Sequence, residues 1–123
     1  MAAAGEIVPA RFPFTDQSAA KIRPVLVLAE VPGAYRDFVV MFVSSQVSRA
    51  VGGLDLTIDP SHRAFGASGL KVASVFRVGK IATLSESLIL GGLGALDWTT
   101  FGELVRRLVG LLSGGTDVAS PKA

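Results

Sequence analysis

The stretch that decides the fold is FPFTDQSAAKIRPVLVLAE, which occupies residues 12–30. Its first half is polar, rich in turn-forming residues and without periodicity, which predicts a loop. Its second half, RPVLVLAE, is a continuous apolar run with branched side chains, typical of a strand that is buried on both faces. Pro24 disfavours the helical region for the residue before it, so Arg23 is predicted to be extended at the point where the strand begins.

The β pattern continues along the chain. Residues 6–12 and the apolar run DFVVMFVSSQ, residues 37–46, indicate two further strands. LDLTID, residues 54–59, alternates between apolar and polar side chains as a half-buried strand does. Residues 70–88 are predicted to hold one or two more strands, interrupted near Gly79.

One helix is predicted, beginning near Asp97 or Thr100 and ending at the glycine pair of residues 114–115. Its apolar side chains recur at helical spacing, and Thr100 with Glu103 fits a capping box. We therefore expect residues 1–113 to form a single domain, a small, strongly bent sheet or partly open barrel with a helix packed on it. Residues 114–123 are expected to be a flexible tail.

The composition limits the class of protein. Half of the 123 residues are apolar, 18% are charged and none is cysteine, which favours a sizeable core, makes a self-association face plausible and excludes disulfides. The first residues lack the pattern of a signal peptide, and no apolar stretch is long enough to span a bilayer. We therefore expect a cytoplasmic protein with no membrane partner.

Arg23 invites a functional interpretation. A guanidinium stays protonated near neutral pH and binds a phosphate through two parallel hydrogen bonds. The alternative is an arginine that extends along the strand edge or pairs with Asp16 or Glu30, and the residues alone do not decide between them. With one histidine, no cysteine and no GxGxxG, GxxxxGK or GxSxG motif, a histidine–cysteine zinc site and the common nucleotide and esterase motifs are excluded.

GEIVPARFPFTDQSAAKIRPVLVLAE, residues 5–30, resembles the opening of the MazF/PemK family of type II toxins: a strand, Pro-Phe, a polar loop, Arg-Pro and a valine-rich strand. DFVVMFVSSQ is similar to the second buried strand of that family, with its Thr/Ser-x-Gln ending. GLKVASVFRVGKIATL, residues 69–84, resembles the family's segment in which a strand ends near an arginine. The likeness covers most of residues 5–112.

The resemblance implies an SH3-like, partly open barrel that is usually a homodimer. It implies a toxin that is a metal-independent, sequence-selective endoribonuclease, without a cofactor, cleaving single-stranded RNA by 2′-hydroxyl attack. The implied products carry 2′,3′-cyclic phosphate and 5′-hydroxyl ends, and the implied partner is a cognate antitoxin that occupies the same groove. Carried over by position, the catalytic arginine falls on Arg23 and its hydroxyl partner on Ser44.

Further candidates for RNA binding come from the same segments: Asp16, Ser18, Lys21, Ser45, Gln46 and Arg77. Asp16 is a candidate general base or, alternatively, an aspartate that caps the loop. The chain departs from the family pattern twice, because its loop lacks a glutamate ahead of the Arg-Pro pair and Gly79 occupies a position where some members carry an aspartate. The alternative hypothesis is a non-catalytic barrel or binding module that acts on a protein target, as CcdB-type gyrase poisons do.

Overall fold

A computed structural model of the chain describes residues 2–12 and 21–114. Two 3₁₀ turns lie at Val47–Arg49 and Glu86–Leu88, and neither helix of the described segments is long and apolar enough to cross a bilayer. The strands and helices are β1 (Glu6–Phe12), β2 (Lys21–Val31), β3 (Asp37–Ser44), β4 (Leu56–Ile58), α1 (Phe65–Ser68), β5 (Ser74–Ser85), β6 (Gly94–Ala95) and α2 (Trp98–Leu112).

The six strands form one antiparallel sheet in the order β4-β5-β3-β2-β1-β6. The sheet curls into a half-barrel, and α2 is the long helix that accompanies it. The predicted architecture, mainly β with one C-terminal helix and a partly open SH3-like barrel, is therefore confirmed. The prediction of one or two strands beyond residue 70 resolves into a single long strand, β5.

Apolar side chains fill both faces of the sheet. On one face Leu26 belongs to a buried cluster that includes Leu104 of α2. On the other face its neighbours Val25 and Val27 join a second buried cluster, which includes Phe38. Because successive residues of a strand point to opposite faces, the uninterrupted apolar run of β2 serves both clusters.

The helix α2 begins at Trp98, and Asp97 is its N-cap. One carboxylate oxygen of Asp97 accepts a hydrogen bond from the Thr100 backbone N–H at 3.1 Å, and the other accepts from the Thr100 hydroxyl at 2.7 Å. The expected capping box of Thr100 and Glu103 is wrong, because Asp97 lies one turn earlier and Glu103 accepts instead from Arg107 at 2.7 Å. The sequence offered two possible N-caps, Asp97 and Thr100. The helix uses Asp97, and Glu103 forms an ion pair with Arg107.

The cap makes the stability of the protein depend on pH. The hydrogen bonds from Thr100 hold the pKa of the Asp97 carboxyl below its ordinary value. A group whose pKa is lower in the folded state stabilises the protein above its unfolded-state pKa, and this stability is lost as the pH falls through the folded-state pKa. We expect the free energy of unfolding to decrease below about pH 4, and we expect Asp97→Asn, which keeps a capping side chain, to show a weaker decrease.

Urea denaturation of the two proteins between about pH 3 and pH 6 measures this effect. Curves that fall in parallel would show that Asp97 does not contribute to the acid sensitivity.

Candidate active site

A pair of facing prolines explains where a groove opens in the sheet. Pro9 of β1 lies opposite Pro24 of β2, and the Pro9 carbonyl accepts a hydrogen bond from the Leu90 N–H at 2.9 Å, away from β2. The two prolines therefore form a non-hydrogen-bonded pair, and the backbone nitrogen of Pro24 faces β3. Proline has no N–H to donate. The ladder between β2 and β3 therefore ends at the neighbouring pair, Val25 with Phe42.

The groove has a volume of about 480 Å³ and lies at this end of β2 and β3. Arg23 lies two residues before Val25 and Ser44 lies two residues after Phe42, where that ladder ends. Both residues line the groove, together with Ser45 and Gln46. The arginine and the hydroxyl that the sequence analysis singled out therefore meet in one groove of one chain.

The local contacts of these residues leave them open to a ligand. Arg23 is exposed, and its alternative partner Glu30 pairs instead with Arg36 at 3.2 Å. The Ser44 hydroxyl accepts a hydrogen bond from the Gln46 backbone N–H at 3.1 Å, which fixes the oxygen and leaves its proton for another acceptor.

Three other predicted residues are Lys21, Asp16 and Ser18. Lys21 is exposed two residues before Arg23, on the same face of β2, but it does not line the groove. Asp16 and Ser18 lie outside the described residues.

The groove also has an aromatic wall that the sequence analysis did not anticipate. Phe12 and Phe42 both line it, and their ring centroids are 4.7 Å apart with the rings tilted by 49°. These phenylalanines fit the apolar pattern of β1 and β3, and no feature of the sequence indicated that they meet across the sheet. Phe42 is half-buried and Phe12 is buried, so the apolar surface in the groove with Arg23 and Ser44 is mainly that of Phe42.

Lys80 enters the groove because β5 contains a bulge. Phe42 pairs with Arg77 while the adjacent Met41 pairs with Ile81, so residues 78–80 have no partners in this ladder. Bulges redirect side chains next to functional sites, and Lys80 is one of the residues that line the groove. The glycine at position 79 did indicate an interruption, but it gave no sign of which side chain the interruption would redirect.

Arg77 is held in the groove wall by Asp55, which precedes β4. The Arg77 Nε lies 3.0 Å from the Asp55 Oδ2. The same carboxylate accepts hydrogen bonds from the backbone N–H groups of Val51 and Val78, each at 2.9 Å. The Asp55 side chain is 2% exposed and that of Arg77 is 21% exposed, so the carboxylate is buried while the guanidinium reaches the groove.

The helix α2 fixes the segment that carries Asp55. Arg107 Nη1 donates to the backbone carbonyls of Asp55 at 2.6 Å and of Leu54 at 3.2 Å. Its other terminal nitrogen donates to Glu103 at 2.7 Å. The sequence contained no signal for this contact, because the residues that it joins lie 52 positions apart.

The charge of the groove is positive. Arg23, Arg77 and Lys80 line it, and in residues 2–12 and 21–114 only Arg77 of the three has an acidic partner within 4.0 Å. In the same residues no three histidine, aspartate or glutamate side chains are placed to hold a metal ion. Unpaired cations beside an apolar wall suit a ligand that carries both phosphates and planar rings.

The model of one protein family, the PemK-like, MazF-like toxins of type II toxin-antitoxin systems, matches residues 3–112. The chain belongs to this family. The resemblance found in the first 30 residues is thereby confirmed, and this PemK-like protein is a toxin of the type that is paired with an antitoxin. No curated protein matches the chain.

This PemK-like toxin provides an acidic partner for Arg77 from outside β5. A Cβ atom added at Gly79 would lie 3.7 Å from the Cδ2 of Leu111 in α2. An aspartate there would start beside an apolar side chain of the helix. Asp55, 22 positions before Arg77 in the chain, takes the role of its carboxylate partner.

Proposed function

We propose that this toxin is an endoribonuclease that cleaves single-stranded RNA at selected sequences, without a metal ion, by attack of a ribose 2′-hydroxyl on the neighbouring phosphorus. The observation that carries the proposal is the meeting of Arg23 and Ser44 in one groove, in a chain of the PemK-like toxin family. RNA contains its own nucleophile, so the protein has to position the phosphodiester and stabilise its charge.

The proposed reaction follows from the groove's hydrogen-bond donors. The 2′-hydroxyl loses its proton and its oxygen forms a bond to phosphorus, while the bond from phosphorus to the 5′-oxygen breaks and that oxygen takes up a proton from water, which yields a 2′,3′-cyclic phosphate and a 5′-hydroxyl. Negative charge develops on the non-bridging oxygens, and Arg23 donates two hydrogen bonds to them. The Ser44 hydroxyl donates a hydrogen bond to the same oxygens, since its own oxygen already accepts from the Gln46 backbone N–H. Donors arranged in advance in this way are a large source of catalysis.

The remaining groove residues are assigned to binding. Arg77 and Lys80 hold phosphates on either side of the scissile one, and the half-buried Phe42, packed against Phe12, provides a surface on which a base stacks. Stacking of a base on an aromatic side chain contributes about 1–3 kcal/mol. Ser45 and Gln46, which line the groove after β3, are assigned to further RNA contacts. Lys21, at the start of β2 and outside the groove, is assigned to a further contact with the RNA.

The 2′-hydroxyl must also give up a proton. Asp55 does not qualify as the base, because its carboxylate is buried and already accepts from Val51, Val78 and Arg77. The residues that line the groove include no carboxylate and no histidine within the described ranges. Asp16, which precedes β2 in the sequence, is the candidate base that the sequence offers, and Ser18 is assigned to RNA binding.

Membership of the family implies an antitoxin partner. We place it in the same groove, bound through an acidic, amphipathic segment, because the cations there share the groove with the apolar side chains of Phe12 and Phe42. We also assign the toxin to the cytoplasm. We further propose that it forms a homodimer, which the exposed apolar side chains Trp98 and Leu112 of α2 support.

The activity is tested with purified protein, excess EDTA and a long unstructured RNA. We expect discrete fragments with 2′,3′-cyclic phosphate and 5′-hydroxyl ends, and we expect DNA of the same sequence to remain intact because it lacks the 2′-hydroxyl. RNA that stays intact with both wild type and Arg23→Ala would refute the nuclease and favour the non-catalytic barrel that acts on a protein. Growth arrest on expression would then separate such a toxin from an inert binding module.

A further inference from the structure

The carboxylate of Asp55 is too deeply buried to be an ordinary surface charge. Its side chain is 2% exposed, and a carboxylate in that position persists in a fold only when its oxygens are hydrogen-bonded and its charge is paired. Both conditions are met, by two backbone N–H groups and by the Nε of Arg77. The question is what the protein gains from an aspartate where an apolar residue would pack without this requirement.

One consequence of the contact is that it fixes the plane of the Arg77 guanidinium. The bond to Asp55 uses Nε, at the root of the group, which leaves both terminal nitrogens for the groove that Arg77 lines. Two terminal nitrogens in one fixed plane match the spacing of two phosphate oxygens. An arginine held in this manner also loses less conformational freedom when it binds.

A second consequence concerns the bulge that brings Lys80 into the groove. The other oxygen of Asp55 accepts from the Val78 N–H at 2.9 Å, and Val78 is the first of the three residues of β5 that lack ladder partners. Asp55 thus holds the start of the bulge as well as the side chain of Arg77. One carboxylate controls the placement of two of the groove's cations.

The segment that carries Asp55 is itself fixed from α2. Arg107 donates to the carbonyls of Leu54 and Asp55, while the adjacent Arg106 is exposed to solvent. A chain of contacts therefore runs from α2 through Asp55 to Arg77 and ends in the groove.

We infer that Asp55 is a positioning residue for RNA cleavage: it orients Arg77 and the bulge that carries Lys80 toward the phosphates, and Arg107 holds it in place. The inference rests on the proposed function, since the phosphates belong to the RNA substrate. Asp55 acts from a different segment in place of the acidic side chain that Gly79 cannot provide within β5.

A mutant cycle tests the inference, with kcat/KM for one RNA as the readout. Asp55→Asn preserves the shape of the side chain but removes its charge, and we expect kcat/KM to fall about 10- to 100-fold because the phosphate contacts are misplaced. If Asp55 acts through Arg77 and Lys80, adding Asp55→Asn to a protein that already carries Arg77→Ala and Lys80→Ala slows it no further, within about twofold. A loss that persists in the triple variant would overturn the inference.

Two α2 variants supply a test that does not alter the buried carboxylate. Arg107→Ala removes the contact to the Asp55 segment, and we expect a loss of kcat/KM that disappears when Arg77 and Lys80 are both already alanine. Arg106→Ala, the matched control on the same helix, is expected to cleave like the wild type. Equal activity of Arg107→Ala and Arg106→Ala would contradict the part of the inference that concerns α2.

An NMR measurement keeps the inference separable from the nuclease itself. The Nε–H signal of Arg77, assigned by its absence in Arg77→Ala, should exchange slowly with water and shift when inorganic phosphate is added. We expect both properties to be lost in Asp55→Asn and kept in Arg23→Ala. If the wild type cleaves no RNA, the proposed function fails, yet this signal still decides the role of Asp55: unchanged behaviour in Asp55→Asn would refute it.

Discussion

Replacing Arg23 by alanine is expected to slow RNA cleavage about 100- to 1,000-fold, the usual effect of removing a preorganised donor from a developing anion. The fold should be unaffected, because the side chain is exposed and makes no ion pair within residues 2–12 and 21–114. Pro24, which ends the ladder between β2 and β3, stays in place. Single-turnover cleavage of an RNA that contains one site gives the rate, and circular dichroism monitors the fold.

Two further variants make this experiment specific to the groove. Arg23→Lys keeps the charge but not the two parallel hydrogen bonds, and we expect a rate between those of the wild type and Arg23→Ala. Arg11→Ala is the matched control, because Arg11 is an exposed arginine of β1 next to Ala10, the partner of Arg23, and neighbouring residues of a strand point to opposite faces. Its cleavage rate should be unchanged, and equal losses in Arg11→Ala and Arg23→Ala would mean that general charge, not this groove, drives the reaction.

Replacing Gly94 by alanine is expected to lower the stability of the protein strongly. A Cβ atom there would lie 2.3 Å from the carbonyl oxygen of Ala67 and 2.4 Å from the carbonyl carbon of Ser68. These are backbone atoms at the end of α1, so they cannot move aside as the tip of a side chain would. We expect the free energy of unfolding to fall by about 3 kcal/mol or more, the upper range of overpacking substitutions.

Gly110→Ala is the control for that experiment, because it adds the same methyl group inside α2, where no described atom outside the adjoining helix backbone lies within 4 Å of the new Cβ. Alanine is a better helix former than glycine, and we expect Gly110→Ala to stabilise the protein by about 0.5–1 kcal/mol. Urea denaturation compares the three proteins. A Gly94→Ala protein as stable as the wild type would show that α1 and β6 do not pack as closely as described.

The strands could be predicted because their pattern is local. The apolar run of β2 carries side chains for both faces, and a branched, uninterrupted run of that kind is visible in the sequence. The position of Arg23 beside Ser44 could also be anticipated, since an Arg-Pro pair and a Ser-Ser-Gln ending occur in the order found in the family that residues 3–112 match. Their functional roles stay predictions until the variants are measured.

The rest of the site depends on pairings between distant parts of the chain. Asp55 lay in an alternating strand pattern, and nothing near it indicated a contact with Arg77, 22 residues later. Phe12 and Phe42 meet only because β1, β2 and β3 are neighbours in one register. The number of residues in the β5 bulge is likewise set by pairing with β3, so Gly79 marked the interruption without predicting the place of Lys80.

The contact of Arg107 has a consequence for the order in which a newly made toxin matures. Arg23, Ser44 and Arg77 all leave the ribosome before the helix that holds the Asp55 segment. We expect a growing polypeptide to acquire its finished cleavage groove only after α2 has emerged and docked. The proposed cleavage activity would thus be absent while the chain is still being synthesised.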